Sequence, residues 1–165
     1  MTKNILAVGA HFDDIELGCG GSIAKHALEG DNVYAYVATV SGFSNPYSKS
    51  VRKNSVAKKE GKAAMNVLGI KKLYTGNFET LKVEFSEKLN VEILKIIEKN
   101  KIDQVYSHWT GDIHHDHKAV GKATLHSARH VKNILLYRSN WYHSTDMFNG
   151  NFYIDISKTW AIKEK

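Results

Sequence analysis

The chain has 165 residues, enough for one domain with one buried core and too few for two, so we expect a single domain over residues 1–165. Its composition is ordinary for a globular protein, with 42% hydrophobic and 24% charged residues, and its single cysteine excludes an internal disulfide framework and fits a reducing compartment. The formal net charge of +6 raises the question of nucleic acid, but the lysines are spread along the chain without a binding motif, so we expect a solvated basic surface and no nucleic-acid partner.

The predicted elements alternate between strand and helix. In chain order they are a strand over 5–8, a loop through 9–21, a helix over 22–29, a strand over 33–40, a loop over 41–50, a helix over 55–68, a strand over 71–74, a helix over 85–100, a strand over 102–107, a helix over 120–129 and a strand over 134–137. This alternation predicts an α/β fold, a Rossmann-like three-layer α/β/α sandwich around a mainly parallel sheet. No apolar run is long enough for a signal-peptide core or a membrane span, so we expect a cytoplasmic protein without a membrane partner.

Two segments that combine histidine with carboxylates follow predicted strands. The first, residues 11–16 (HFDDIE), follows the first strand, and the second, residues 112–117 (DIHHDH), follows the fourth. Because ligands of such sheets bind outside the carboxyl ends of the strands, both segments should open at the same edge. Imidazole nitrogens and carboxylate oxygens are zinc ligands, and a catalytic zinc needs only three from the protein. With two adjacent aspartates, one can bind the metal while the other acts as a general base.

Each segment also has a simpler interpretation. A His-Asp pair in a loop is usually a surface feature or a hydrogen-bonded turn, and only the two segments together favour a metal site. His108, at the end of a predicted strand, is interpreted as a packing or surface residue in preference to a partner of the metal ligands. Four other histidines are interpreted as structural because no carboxylate is grouped with them: His26, His126, His130 and His143.

The glycines after the first segment admit a rival interpretation. A glycine-rich turn before a helix can bind phosphate, but Gly18, Gly20 and Gly21 have the spacing G-x-G-G and not the dinucleotide-binding G-x-G-x-x-G. Such glycines more often allow close packing beside a site. Cys19, between them, is interpreted as a small buried thiol and not as a nucleophile.

Both segments resemble the signatures of a known family. Residues 10–21 (AHFDDIELGCGG) resemble the A-H-P-D-D-x-E signature of the PIG-L/LmbE-like N-acetylglucosaminyl deacetylases, with its glycine-rich continuation. Residues 112–120 (DIHHDHKAV) resemble the second signature of that family, D-x-H-P-D-H-x-A-V. Looser similarity extends to residues 60–69 and 152–157, so the resemblance spans nearly the whole chain in the same order.

The resemblance implies a role for each residue of the two signatures. His11, Asp14 and His117 would hold Zn²⁺, although a site of this kind also accepts Fe²⁺ or cobalt. Asp13 would be the general base. His114 would act as an acid or stabilise the oxyanion in its protonated form, and Asp116 would form a hydrogen bond with His114 and favour its charged state. The implied substrate is an N-acetyl sugar or sugar conjugate, but the sequence does not identify which one.

The chain departs from the family pattern at several positions. Phe12 and His115 replace the two prolines of the signatures; we expect less rigid loops there and a His115 side chain that points away from the metal. Ala57 stands where the family usually has an arginine. Arg52 is nearby but out of register, and we consider it as a candidate for binding the substrate. The chain ends soon after residues 155–157, where relatives continue. We therefore expect a reduced substrate wall, a wall completed by a neighbouring subunit in a homo-oligomer, or a wall whose remaining part lies outside this sequence.

The favoured function is metal-dependent hydrolysis of an N-acetyl sugar. The first alternative is a non-catalytic nucleotide- or sugar-binding module of the same fold, and the second is a basic protein that associates with nucleic acid. The base and the ligand set argue against the first, and the scattered lysines argue against the second. Five aromatic residues in predicted loops are equally suited to stacking on sugars or to closing the core: Phe43, Tyr47, Trp109, Trp141 and Tyr142.

Overall fold

The computed structural model describes residues 1–139, 142–144 and 146–165. Its strands are β1 (Asn4–Gly9), β2 (Asn32–Thr39), β3 (Phe43–Ser44), β4 (Ser50–Arg52), β5 (Lys72–Phe78), β6 (Gln104–His108) and β7 (Asn133–Tyr137). Its helices are α1 (Asp14–Leu28), α2 (Asn54–Val67), α3 (Glu87–Asn100), α4 (His115–Ser127) and α5 (Trp160–Glu164).

Five strands form one parallel sheet in the order β5-β2-β1-β6-β7. β1 lies in the middle, with β2 on one side and β6 on the other, so the chain leaves β1 and β6 at adjacent points of the same edge. This is the position at which open parallel sheets bind ligands. The structure confirms the predicted three-layer α/β/α fold with a mainly parallel sheet.

Side chains of β1 alternate between two hydrophobic clusters, one on each face of the sheet. Leu6 and Val8 belong to the cluster formed with α3 and α4, whereas Ile5 and Ala7 belong to the cluster formed with α1 and α2. All four side chains are fully buried. A strand buried on both faces gives a continuous apolar run, which is why the sequence identified it readily.

Helix α1 corrects the prediction of a loop through residues 9–21. It begins at Asp14 and contains three of the four glycines of the predicted loop, Gly18, Gly20 and Gly21. These glycines allow close packing: a Cβ atom at Gly18 would lie 2.1 Å from Cδ2 of Tyr137, and one at Gly21 would lie 2.7 Å from Cδ1 of Ile156. The predicted loop was therefore wrong, whereas the expectation that these glycines allow close packing is confirmed at Gly18 and Gly21.

Two smaller differences also bear on the site. The predicted loop over 41–50 contains β3, which pairs with β4 as a short antiparallel hairpin. Helix α4 begins at His115, five residues before the predicted start, so that residues 115–117 of the second histidine segment lie in the first turn of a helix. Within the part of the chain that the structure describes, every helix is too short or too polar to cross a membrane.

Candidate metal and catalytic site

The three predicted metal ligands come together at the carboxyl edge of the sheet. His11 follows β1, Asp14 is the first residue of α1, and His117 lies in the first turn of α4. His11 Nδ1 is 3.4 Å from Asp14 Oδ2, His117 Nε2 is 3.1 Å from Asp14 Oδ1, and the two nitrogens are 3.3 Å apart. Ligand atoms that share a tetrahedral zinc with bond lengths of about 2.0–2.1 Å lie about 3.3 Å from each other. The donor set and its spacing therefore fit one divalent cation.

Each histidine of this triad has a carboxylate on its outer nitrogen. His11 Nε2 lies 2.9 Å from Asp116 Oδ2, and His117 Nδ1 lies 3.0 Å from Asp112 Oδ2. An outer nitrogen that donates to a carboxylate leaves the inner nitrogen with a lone pair for the metal, which is the usual arrangement of histidine ligands. Burial alone would lower the pKa of both rings, but hydrogen bonds to Asp116 and Asp14 for His11, and to Asp112 and Asp14 for His117, raise each pKa to about 9.

Asp14 is held by more partners than any sequence pattern revealed. Its Oδ2 accepts hydrogen bonds from the backbone N–H groups of His11 (2.7 Å) and Ala10 (3.0 Å), and its Oδ1 accepts one from Ser139 Oγ (3.0 Å). Burial by itself would raise the pKa of Asp14, but the histidines around it, His108 first, hold that pKa well below its usual range. The carboxylate is thus fixed and charged, as a ligand must be.

His108 corrects an interpretation made from the sequence. It is fully buried, its Nε2 lies 3.1 Å from Asp14 Oδ2, and its ring stacks on that of His117 with centroids 4.1 Å apart. It therefore packs against two of the three predicted ligands, so the preference for a role away from them was wrong. The position of His108 at the end of β6, beside β1, was the signal that could have indicated these contacts. Asp112, the partner of His117, could have been found as the first residue of the second signature.

Asp116 does not form the predicted hydrogen bond with His114. Its carboxylate contacts His11 and accepts hydrogen bonds from the backbone N–H groups of Leu81 (2.7 Å) and Val83 (3.1 Å). His114 is the N-cap of α4, and its Nδ1 accepts a hydrogen bond from the backbone N–H of Asp116. Because an N-cap side chain folds over the free amides of the first turn, it takes the amide of Asp116 and leaves the carboxylate to its other neighbours.

His114 also differs from the expected charge state. Its ring stacks on that of His117 at 4.3 Å and meets that of His11 edge-on at 4.9 Å. Burial, and the proximity of His117 and His11, lower the pKa of His114 to about 4, which is the opposite of the protonated imidazole expected from the sequence. Since Nδ1 accepts the hydrogen bond from Asp116, the proton of the neutral ring is on Nε2, which remains a donor.

Asp13 differs from the adjacent Asp14 in nearly every respect. Its side chain is 52% exposed, and one of its oxygens lies 3.6 Å from the guanidinium of Arg52. Burial of its remaining surface and the negative charge of Asp14 raise its pKa. Asp13 and the three predicted ligands open into a cavity of about 360 Å³, which is lined by His11, Asp13, Asp14, Leu17, Ser41, Phe43, Arg52, Thr80, Leu81, His114, His117, Ser139 and Tyr142.

Phe12 replaces a proline of the first signature, and it makes contacts that take the place of the backbone constraint of the proline ring. Its N–H donates to Ser41 Oγ at 2.9 Å, a hydrogen bond that proline lacks the donor to make. Its side chain is only 3% exposed and packs against Gly61 of α2, where a Cβ atom would lie 2.1 Å from Phe12 Cδ1. His115, at the other replaced proline, is exposed and is not among the residues that line the cavity.

The remaining candidates are placed as follows. Phe43 and Tyr142 line the cavity, whereas Tyr47 is 90% exposed and the ring of Trp109 contacts Phe148. Trp141 lies outside the described residues. His26 was expected to lack a carboxylate, but its Nδ1 lies 2.7 Å from Asp31 Oδ2 and its Nε2 lies 2.9 Å from the hydroxyl of Tyr106, at the opposite end of the sheet. The reasoning about His26 was therefore wrong. Cys19 is buried, as expected.

Comparison with known proteins identifies the family of the chain. The family described as "PIG-L: GlcNAc-PI de-N-acetylase" matches residues 6–128. The "Uncharacterized deacetylase YaiS" of Escherichia coli strain K12 is 34% identical over 149 residues, which cover 84% of this chain and 76% of that protein. The diacetylchitobiose deacetylase of Thermococcus kodakarensis is 26% identical over 102 residues, covering 60% of this chain and 38% of that protein.

Among solved structures, the N,N'-diacetylchitobiose deacetylase from Pyrococcus horikoshii, in complex with its inhibitor MPG, superposes with a TM-score of 0.81. The match covers 98% of this chain and 67% of that one at 22% identity, and it therefore shows a shared fold. Fold, site and relatives together define an amide hydrolase of the deacetylase class. The chain belongs to the PIG-L family.

Proposed function

We propose that the protein is a zinc-dependent N-deacetylase that hydrolyses the acetamide of an N-acetylglucosamine-type sugar or sugar conjugate. The observation that carries this proposal is the triad of His11, Asp14 and His117: the ring nitrogens lie 3.3 Å from each other and 3.4 and 3.1 Å from the two carboxylate oxygens of Asp14, and Asp13 lines the same cavity. A binding module needs no carboxylate of this kind beside a metal triad.

Two other sets of ligand atoms lie close to each other and compete with this triad. They are the groups His11–His114–His117 and Asp14–His108–His117, each with its atoms within 4.8 Å. The proposed triad has a mixed nitrogen–oxygen donor set, unlike the three histidines of the first group, and such a set suits zinc and also accepts Fe²⁺. His108 is less suited to bind the metal because its Nε2 already accepts a hydrogen bond from the backbone N–H of Ala10 at 3.1 Å.

The proposed chemistry divides the work between the metal and the protein. Zinc, when bound, supplies Lewis-acid chemistry that polarises an amide carbonyl and acidifies a water molecule. Asp13 accepts the proton of the attacking water, for which its raised pKa and its exposure suit it. The neutral His114 donates its Nε2–H to the oxyanion that forms on the substrate. Protonated Asp13 then returns the proton to the departing amine, which leaves acetate and an amino sugar.

The cavity supports a sugar substrate of modest size. Its volume is about 360 Å³, and Phe43 and Tyr142 are two aromatic side chains in its lining. Apolar and aromatic walls with a few converging polar groups are typical of small-molecule sites. The relatives named for diacetylchitobiose support the same class of substrate. We propose in addition that the protein acts in the cytoplasm as one domain over residues 1–165, and that subunits associate.

Acetate release from a panel of N-acetyl sugars and sugar conjugates tests the proposal. We expect release by the wild-type protein, loss of release with a chelator, and recovery when Zn²⁺ is added back. A metal-free preparation that releases acetate at the full rate would contradict the metal requirement. Binding of sugars without any release would favour the non-catalytic module.

A further inference from the structure

We propose that Arg52 is a positioning residue that holds Asp13 in the orientation needed for proton transfer. This inference rests on the proposed function, in which Asp13 is the general base. Arg52 ends the short strand β4, on the hairpin that overhangs the cavity, and its side chain is 21% exposed. Its guanidinium reaches the peptide group immediately before Asp13.

The contacts of the guanidinium define this role. Both terminal nitrogens, Nη1 and Nη2, lie 3.2 Å from the carbonyl oxygen of Phe12 and donate to it. That carbonyl belongs to the peptide group that joins Phe12 to Asp13. Because two N–H groups of the planar guanidinium donate to this one carbonyl oxygen, they limit the rotation of the peptide plane. They therefore also limit the direction in which the Asp13 side chain leaves the backbone.

The residues on either side of this peptide group are also held by contacts with the rest of the protein. The amide of Phe12 donates to Ser41, and its ring is buried against Gly61. On the other side, the carbonyl of Asp13 accepts a hydrogen bond from the amide of Leu17 at 2.9 Å. The backbone around Asp13 is thus held at both ends, whereas its carboxylate projects into the cavity.

Arg52 is also the side chain that faces the Asp13 carboxylate. Among the residues that the structure describes, the one ion pair of Asp13 is its 3.6 Å contact with Arg52 Nη1. That distance is longer than a charge-assisted hydrogen bond, so the contact orients the carboxylate without occupying its lone pairs. The oxygens of Asp13 stay available to a water molecule.

Glu60 of α2 explains why the guanidinium stops short of Asp13. Its Oε2 lies 2.9 Å from Arg52 Nη2 and pulls the guanidinium toward α2. Each terminal nitrogen of Arg52 is therefore bonded to a protein oxygen. These contacts use three of the five N–H donors of the guanidinium, and this favours a positioning role over the substrate-binding role considered from the sequence.

Kinetics of matched variants test the inference. We compare Arg52→Met and Arg52→Lys with Lys49→Met, which removes a positive charge from an exposed residue of the same hairpin. For Arg52→Met we expect kcat to fall about 10- to 100-fold, the effect of a small misplacement of a catalytic group, with KM changed by less than about threefold. Arg52→Lys should recover only part of the rate, because an ammonium group keeps the charge but not the fork. Lys49→Met should leave kcat within about twofold of the wild type.

Metal content and a crystal structure of Arg52→Met separate positioning from a merely structural role. We expect an unchanged ratio of bound zinc to protein, and a rotated peptide group between Phe12 and Asp13 with the carboxylate turned from its wild-type direction. A rise in KM at constant kcat, full activity of Arg52→Met, loss of zinc, or an unmoved Asp13 would each overturn the inference. If Arg52→Met does not fold, Arg52→Lys at the full wild-type rate would also overturn it. Absence of acetate release by the wild-type protein would instead defeat the proposed function itself.

Discussion

Asp13 and Asp14 are neighbours in the chain with identical side chains, yet the fold gives them opposite environments. The Asp14 side chain is 5% exposed and accepts hydrogen bonds from two backbone amides and from Ser139, whereas that of Asp13 is 52% exposed and faces a cavity. Neighbouring histidines hold the pKa of Asp14 well below its usual range against the effect of burial, and burial together with Asp14 raises the pKa of Asp13. The first residue of helix α1 is thus a fixed anion, whereas the residue before it faces the cavity with a raised pKa, which suits the proton acceptor that we propose. Such a separation of two titratable groups is how one site assigns different roles to similar side chains.

The largest expected effect comes from neutralising the anion. Asp14→Asn should lose both the metal and measurable deacetylation, because it removes a ligand and places an amide N–H₂ group among backbone donors. Metal analysis after dialysis and acetate release measure the two consequences. Retention of metal at the wild-type ratio would show that Asp14 is not a ligand.

The same substitution one residue earlier should spare the metal. Asp13→Asn is expected to lower kcat about 10²- to 10⁴-fold, the contribution of a general base, with metal content unchanged. Acetate release and metal analysis on the same preparations make the comparison. Full activity of a zinc-loaded Asp13→Asn protein would contradict the assignment of the base.

The carboxylates behind the histidines should have intermediate effects. Asp112→Asn and Asp116→Asn remove the partners of His117 and His11 without removing a ligand, and we expect each to weaken metal binding about 10- to 100-fold. Competition with a chromogenic chelator gives the dissociation constants. If Asp116→Asn changes catalysis at saturating metal but leaves metal affinity intact, Asp116 would act through His114 after all.

The smallest predicted effect concerns the helix that carries Asp14. Gly18→Ala should lower the free energy of unfolding by about 1–3 kcal/mol, because the new Cβ atom would lie 2.1 Å from the ring of Tyr137. Gly20→Ala is the matched control, since the nearest atom there is 3.5 Å away and alanine favours a helix interior. Denaturant unfolding compares the two. Equal stability of the two variants would show that Tyr137 does not require the glycine.

The sequence could predict the features that follow from the pattern of the backbone elements, but not the environments of individual side chains. The apolar strands and the order of the elements follow from hydrophobic periodicity, and the common edge of β1 and β6 follows from the parallel sheet; this was enough to place His11, Asp14 and His117 in one region. The start of α1 was missed because Gly18 and Gly21 serve packing against residues far along the chain. The partner of Asp116 was missed because it depends on how the N-cap of α4 folds, which spacing does not encode. The contact of His108 with Asp14 was missed because the two residues are far apart in the chain, and only the folded sheet brings them together.

Anomalous diffraction from crystals grown with Zn²⁺ would locate the metal among these side chains. We expect one peak bonded at about 2.0–2.2 Å to His11 Nδ1, a carboxylate oxygen of Asp14 and His117 Nε2, with Asp13 nearby but unbound. A peak that is ligated by His114 or His108 in place of Asp14, or the absence of any peak between these three side chains at saturating zinc, would contradict it.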